Sequence, residues 1–536
     1  MMLDALIRGL DVRTQRGRAE GVRICDVTDD SRTVMPGSLF IARKGLRFDG
    51  RAHIAEALRA GAAAVLIDAR DGEPPAGFPS EPGAPPLLVT EDALLASARI
   101  AERFYADPSS RLRLVGVTGT NGKTTTCWLI HHLLRSCGHK PGLISTVGID
   151  DGCARAGAVM TTPPAIELSR TLGVMVEAGC DSAVIETSSH ALDQCRVAAL
   201  RFEVGVFTNL TGDHLDYHRS MDDYAAAKAR LFASLPETGV AIINGEDEAG
   251  ARMVRDCRAR TLACVFEGAD TSLPGERCEV AIDSRGAAGA DVRVSGPWGV
   301  IESRLPLVGR HNAMNALQAV AAAHALGAPA DRLAIALASA TSPPGRLEPV
   351  TREHDRAEPF TVLVDYAHTD DALQRSLLAA RPLVGDGGRL IVVFGCGGDR
   401  DRSKRPRMGA AAAAGADVLV LTSDNPRTED PGAIIRGVLE GVPAEARDRL
   451  HIHSDRERAI AFGVQEARAG DVVLIAGKGH EDYQLLPDGA GGIVRRDFDD
   501  RSVARSALRQ RFDEGSPHGA ADPSPATTAA RNGAEA

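Results

Sequence analysis

An α/β fold in three domains is the architecture this sequence predicts, and three observations predict it. The chain has 536 residues, room for roughly three domains at about 150 residues each. Apolar runs of strand length alternate with helical segments, the pattern of mostly parallel sheets with crossover helices. Asp107-Pro-Ser-Ser110 and Thr341-Ser-Pro-Pro-Gly345 interrupt that alternation with clustered turn formers and read as a linker and a hinge. The expected division is residues 1–110, an N-terminal α/β domain; 111–340, a central domain with a mostly parallel sheet; and 341–513, a Rossmann-like α/β domain. Residues 514–536 are mostly Gly, Ala, Pro, Ser and Thr with few apolar anchors, and are expected to be a disordered tail.

In the first domain, residues 54–60 have helical spacing, Ala62-Ala-Ala-Val-Leu-Ile-Asp68 is a short apolar run, and the Pro/Gly-rich stretch 72–86 reads as a surface loop. The second opens with a strand, Leu112-Arg-Leu-Val-Gly-Val117, followed by a helix containing Cys127-Trp-Leu-Ile-His-His-Leu-Leu134. Ala183-Val-Ile185, Val204-Gly-Val-Phe207 and Val240-Ala-Ile-Ile243 are further strands. Residues 262–306 carry short alternating runs and are expected to form a small β subregion. The third contributes Thr361-Val-Leu-Val364, Leu390-Ile-Val-Val-Phe394, Val418-Leu-Val-Leu421 and Val472-Val-Leu-Ile475. A motif of polar and charged residues follows each of these strands, and ligands of open α/β sheets bind at that carboxyl edge.

Composition narrows the function. A net charge of −10 and 4% aromatic residues argue against a nucleic-acid surface. Ten cysteines without a Cys-x-x-Cys pair argue against a zinc site or disulfide framework. The first 25 residues include Asp4, Arg8, Asp11 and Arg13, with no signal-peptide core. No apolar run reaches the roughly 18 residues of a membrane span, so the expectation is a cytoplasmic protein without a membrane partner.

Gly119-Thr-Asn-Gly-Lys-Thr-Thr-Thr126 lies between the first central strand and its helix, the context of a phosphate-binding loop and a P-loop-type ATPase domain. Backbone N–H groups of Gly119, Thr120, Asn121, Gly122 and Thr125 are candidates to cradle phosphate. Lys123 would add a charge near the β- and γ-phosphates, and Thr124 a hydroxyl on Mg²⁺. The strict pattern places a Gly where this chain has Val117, so the loop is a variant.

Further candidates follow other strands. Glu186 ends the strand 183–185, where a carboxylate suits Mg²⁺ or a solvated cap. His214, in Asn209-Leu-Thr-Gly-Asp-His214, could hold a second metal, orient a phosphate or be an ordinary loop residue. Lys228 sits among alanines on a helix; spacing favours an exposed lysine, whereas burial would make it neutral and nucleophilic. Asn315 opens an alanine-rich helix and could face adenine or ribose, or serve in capping. Arg346 lies on the hinge, within reach of a γ-phosphate once the third domain closes, and Asp365 ends a strand where it could meet a ribose hydroxyl.

Taken in order, these residues resemble the Mur ligases, ATP-dependent amide-forming enzymes of peptidoglycan precursor synthesis. The similarity spans about residues 20–505 and includes the variant loop without its leading Gly. It implies ATP, two Mg²⁺ ions and a CO₂-derived carbamate on Lys228 that joins Thr124, Glu186 and His214 in holding metal. It implies catalytic roles for Lys123, Lys228, His214 and Arg346, and nucleotide contacts from Asn315, Arg346 and Asp365. Asp30-Ser-Arg32 and Thr161-Thr-Pro163 match segments that hold UDP-N-acetylmuramoyl-L-alanyl-D-glutamate, with Ser31, Thr161, Thr162, Ser188, Gln194 and Arg196 as contacts. Leu46, Arg47 and Phe48 fall in a loop matched only by its bounding glycines. A monomer is expected.

Asp424-Asn-Pro-Arg427 follows the strand 418–421, and in the family this motif marks users of meso-diaminopimelate. Arg427 can grip a second carboxylate with a bidentate pair, worth roughly 1.5–3 kcal/mol. Lysine would leave that Arg unpaired. By resemblance Asp424, Asn425, Pro426, Gly477 and Arg400 complete the contacts, with Glu481 receiving the distal ammonium. The rivals are a lysine-adding ligase of the same family, a folylpolyglutamate synthetase-like ligase and a nucleotide switch that makes no bond. A dehydrogenase is disfavoured, since Gly395-Cys-Gly-Gly-Asp399 lacks the Gly-x-Gly-x-x-Gly spacing.

Overall fold

The computed structural model describes residues 1–45, 49–71, 78–79, 81, 83–213, 217–285, 289–352 and 358–512. His214, the loop residues Leu46, Arg47 and Phe48, the expected tail and much of the 72–86 stretch lie outside the described residues. The chain divides into two compact units, Met1–Pro344 and Gly345–Ala536.

The first unit holds two sheets. The smaller runs in the order Arg13–Arg16, Leu87–Thr90, Ala64–Asp68, Ser38–Ala42, Asp26–Thr28, parallel except at its first strand. The larger has 11 strands around a parallel heart: Glu276–Ser284, Arg260–Phe266, Val240–Asn244, Phe202–Phe207, Arg113–Thr118, Ser182–Glu186 and Pro141–Ser145. Every expected central strand lies in that heart. Arg113–Thr118 runs between Phe202–Phe207 and Ser182–Glu186, in a register that pairs Glu186 with Val117. The Glu186 carboxylate is thereby delivered to the strand end from which the Gly119 loop departs.

The stretch 262–306 is not a separate subregion. Arg260–Phe266 pairs in parallel with both Val240–Asn244 and Glu276–Ser284, and two antiparallel strands, Ala290–Gly296 and Gly299–Leu305, continue the same sheet. Alternation explains the join. Cys278 and Val280 are buried on one face of a strand whose ends are exposed, and that face shares a core with Val115, Val184 and the helix Arg310–Ala325. Small alanine side chains let this helix approach the sheet closely, with residues 312–323 buried throughout.

The second unit carries a six-stranded sheet in the order Glu348–Pro349, Thr361–Asp365, Val472–Ala476, Leu390–Phe394, Val418–Leu421, Leu450–Ile452, parallel except at its first strand. The four expected strands are its centre. A hairpin, Tyr483–Pro487 with Ile493–Asp497, follows. The helix Asp500–Phe512 supplies Asp500 to Arg456, both side chains fully buried, through a bidentate pair at 2.6 and 2.7 Å. Arg456 also donates to the carbonyl of Ala476, at 3.0 Å. Among the described residues no helix is long and apolar enough to cross a membrane.

Candidate active site

The loop 119–122 connects the strand Arg113–Thr118 to the helix Lys123–Ser136, as its sequence requires. Gly119 and Gly122 have φ of 154° and 83°, and Gly122 is the left-handed residue at the helix N-terminus. A side chain there would collide, because a Cβ on Gly122 would lie 2.7 Å from Asn315 Oδ1. Asn315 is buried one turn into its helix and donates to Asn312 Oδ1 at 3.0 Å, so it acts within the fold and not as a cap.

The next strand end braces this loop. Asn209 Oδ1 accepts the N–H of Asn121 at 2.9 Å, and its Nδ2 donates to the Asn121 carbonyl at 3.0 Å. Thr208 Oγ1 donates to the same carbonyl at 2.6 Å. The N–H of Thr120 donates to the carbonyl of Asn209 at 2.8 Å. Lys123 folds back, its Nζ donating to the carbonyls of Gly119 and Thr120 at 3.2 and 2.9 Å.

Glu186, 2% exposed, takes the Thr124 hydroxyl on both carboxylate oxygens at 3.1 and 3.0 Å. Its Oε2 also accepts the N–H and hydroxyl of Thr146 at 3.0 and 3.1 Å. Thr146 bonds Thr161, and Thr162 Oγ1 donates to the Glu186 carbonyl at 2.6 Å. The N–H of Ser188 returns to Thr162 Oγ1 at 3.1 Å. Arg196 donates to the Thr162 carbonyl at 2.7 Å and grips Gln194 Oε1. Thr161, Thr162, Ser188, Gln194 and Arg196 therefore form one network continuous with Glu186. Burial and then the Arg43 charge lower the Arg196 pKa, so the network borders the small sheet. There a cavity of ≈ 590 Å³ is lined by Ser31, Arg32 and Arg43, with Ser31 Oγ donating to Glu56 at 3.3 Å.

Lys228 is 1% exposed, and the helix Met221–Ala233 aims it under the phosphate loop. Its Nζ donates to the Gly119 carbonyl at 2.7 Å and lies 4.3 Å from the centre of the Tyr224 ring. Burial foremost, and then the Lys123 charge, push its pKa well below the ordinary lysine value, and Asp213 opposes them. The spacing pattern pointed to an exposed lysine; the buried alternative is the one observed.

Among the described residues no three His, Cys, Asp or Glu side chains cluster to hold a metal. The Thr124 hydroxyl and Glu186 carboxylate nevertheless fit Mg²⁺, which takes one or two carboxylates and completes its shell with water and phosphate oxygens.

In the second unit the Asp365 carboxylate is committed to the chain. It accepts the N–H of Leu347 at 2.8 Å, that of Ala367 at 3.0 Å and the Ser376 hydroxyl at 2.8 Å. Burial raises its pKa, while Arg346 foremost and these donors oppose the rise. Arg346 stacks over Tyr366, its Cζ 4.7 Å from the ring centre. In this arrangement Asp365 fixes the segment carrying Arg346.

Beyond the paired strands Leu390–Phe394 and Val418–Leu421, Asp424, Asn425 and Pro426 are buried, and Arg427 adopts a left-handed φ of 54°. Arg427 Nη1 donates to the Gly398 carbonyl at 2.7 Å. Among the described residues its guanidinium donates from Nη1 alone, which leaves the Nε–Nη2 edge for a bidentate partner. Asn425 Nδ2 donates to Glu481 at 2.8 Å. Gly477 has φ of 122°, where a Cβ would sit 3.2 Å from Asp424. Arg400 is exposed on the neighbouring loop. Sequence reasoning missed Lys478, which is fully buried and donates to Asn425 Oδ1 and Glu481 at 3.2 and 3.1 Å. Its flanking glycines, Gly477 and Gly479, both with positive φ, were the available signal for a tightly packed turn.

Three Mur ligase family profiles match the chain: the family's catalytic domain at residues 23–104, its middle domain at 117–323 and its glutamate ligase domain at 345–479. A UDP-N-acetylmuramoyl-L-alanyl-D-glutamate–2,6-diaminopimelate ligase of Synechococcus sp. (strain WH7803) is 45% identical over 512 residues, 95% of this chain and 99% of the relative. The chain belongs to the Mur ligase family. A relative of the same description from Thermosynechococcus vestitus is 44% identical over 89% of this Mur ligase and 91% of its own length. A solved structure of a ligase so described is 34% identical, with a TM-score of 0.62, covering 91% of this chain and 95% of that one. The three-domain α/β architecture is thus that of the Mur ligases, and the chain is an amide-forming ligase.

Proposed function

We propose that this Mur ligase joins meso-2,6-diaminopimelate to UDP-N-acetylmuramoyl-L-alanyl-D-glutamate, splitting ATP to ADP and phosphate, as a monomer in cytoplasmic peptidoglycan precursor synthesis. The observation that carries the choice of amino acid is Arg427, held by Gly398 with one guanidinium edge turned away from that bond. The names of the relatives agree with it.

The loop amides and Lys123 hold the triphosphate, Lys123 exchanging its bonds to Gly119 and Thr120 for phosphate oxygens. Thr124 and Glu186 would hold Mg²⁺, which would supply charge neutralisation at those oxygens. The D-glutamate side-chain carboxylate, oriented by the Thr162–Ser188–Arg196 network, attacks the γ-phosphorus and expels ADP. The resulting acyl phosphate is attacked at its acyl carbon by the diaminopimelate amine; phosphate leaves and the amine gives up a proton. Lys228, whose proton burial disfavours, would form an N–C bond to CO₂ through its neutral amine and release a proton. With His214, that carbamate would hold a second Mg²⁺.

Phosphate release from ATP, measured with the muramoyl-dipeptide and either meso-diaminopimelate or lysine, tests the reading. Release dependent on both the dipeptide and diaminopimelate is expected. Release driven by lysine would reassign the substrate, and release indifferent to either would exclude a ligase of this specificity.

A further inference from the structure

Two loops carry the arginines assigned to the amino-acid substrate, and they are tied by a reciprocal pair of carboxylates. The Asp399 carboxylate, on the Arg400 loop, accepts the N–H of Thr428 at 3.1 Å and its hydroxyl at 2.8 Å. The Glu429 carboxylate, on the Arg427 loop, accepts the N–H of Asp399 at 2.6 Å. Glu429 also takes Arg405 at 2.9 Å and Arg402 at 3.1 Å, so one side chain gathers three donors from the opposite loop and the helix after it. The backbone adds Gly398 N–H to the Asn425 carbonyl at 2.9 Å.

The conformation this clasp holds is one the chain does not adopt by preference. Asp399 and Arg427 both have left-handed backbones, with φ of 52° and 54°, and neither is glycine. Such residues persist where surrounding contacts over-determine them. The clasp bonds fall on and beside these two positions. Gly398 has no room for a side chain, because a Cβ there would overlap the Pro426 carbonyl. The Arg405 hydrogen bond, foremost, keeps the Glu429 carboxyl below the usual range, so it is an anion at neutral pH.

We infer that Asp399 and Glu429 are positioning residues that hold Arg400 and Arg427 in one geometry, and thereby set the preference for a diamine bearing a second carboxylate over lysine. The inference rests on the proposed diaminopimelate reading. A carboxylate–guanidinium pair is directional, so a loosened Arg427 loop loses affinity for the carboxylate-bearing substrate and little for lysine.

The test is steady-state kinetics of E429Q and D399N, which keep side-chain size and remove charge. Expected is a KM for meso-diaminopimelate raised about tenfold, with kcat and the KM for ATP within about twofold of the parent. The preference for diaminopimelate over lysine should fall by a similar factor. T428V, an exposed change that removes one hydroxyl, should give a smaller rise of about threefold and covers the case of a misfolded E429Q. An unchanged diaminopimelate KM in a folded variant overturns the inference. So does an equal loss for ATP and diaminopimelate, the mark of general structural damage. A parent enzyme that prefers lysine overturns the substrate reading itself, and the inference with it.

Discussion

Lys123 and Lys228 donate to one oxygen, the carbonyl of Gly119, at 3.2 and 2.7 Å. Two ammonium groups so placed would repel one another, and Lys228, the more deeply buried, is the one whose proton is disfavoured.

Lys228→Met should therefore change the pH dependence of stability in CO₂-depleted buffer. The unfolded chain binds a lysine proton up to about pH 10.4, whereas the folded chain releases it at a lower pH. Parent stability then rises with pH between those two values. The variant lacks this slope, so its urea midpoint should exceed the parent's at pH 7 by more than at pH 9.5. Parallel curves would mean that Lys228 is charged in the fold. In the ligase assay Lys228→Ala should lose at least about a hundredfold in kcat, with partial return on adding a short carboxylic acid.

Gly122→Ala should fail on two counts. Its φ of 83° suits glycine, and its new methyl group would press on Asn315. A loss of about 1–3 kcal/mol is expected by urea unfolding, with weaker ATP binding by calorimetry. Adding Asn315→Ala relieves the contact and leaves the backbone term, so the double variant should recover only part of the stability.

Arg427→Lys keeps the charge and gives up the planar fork. The expected result is a diaminopimelate KM at least about tenfold higher, a kcat within a few-fold and measurable use of lysine. A KM matching the parent's would remove Arg427 from substrate recognition.

His131 supplies an acid limb to stability. It is buried 3.6 Å from Asp150, and burial pushes its pKa down to about 4 against an opposing pull from that carboxylate. The unfolded chain takes up this proton near pH 6.5; the folded chain does so only near pH 4. Stability should fall by about 3 kcal/mol as pH drops through that window. His131→Gln should flatten this part of the urea-midpoint profile, and an unaltered slope would count against a neutral His131.

The sequence was most legible where chemistry follows a strand end directly. The Gly119 loop, Glu186 and the Asp424–Arg427 turn each begin within three residues of the end of an apolar run, so strand periodicity placed them at the right edge. What escaped depends on partners distant in the chain. Lys478 donates to Asn425, 53 residues away; its flanking glycines signal a tight turn but not that partner. The Asp365 carboxylate sits at a strand end as expected, yet its partners at 347 and 376 absorb it locally. Residues 262–306 looked separate because antiparallel alternation differs from the parallel strands before them, although hydrogen bonding joins both into one sheet. Lys228 shows the limit of helical spacing, since alanine neighbours fit a solvent face or a tight interface equally well.

The buried pair of Arg456 and Asp500 bears on how the enzyme is made. A ribosome that has reached residue 499 has already produced every candidate contact to ATP, the muramoyl-dipeptide and diaminopimelate. That nascent chain still holds a guanidinium beside the Ala476 carbonyl without its bidentate carboxylate partner. Removing one partner of such a pair costs about 3–5 kcal/mol. The strand ends at Ser423 and Ala476, which lead into Asp424 and Gly477, therefore gain this full brace only once the helix Asp500–Phe512 has been made.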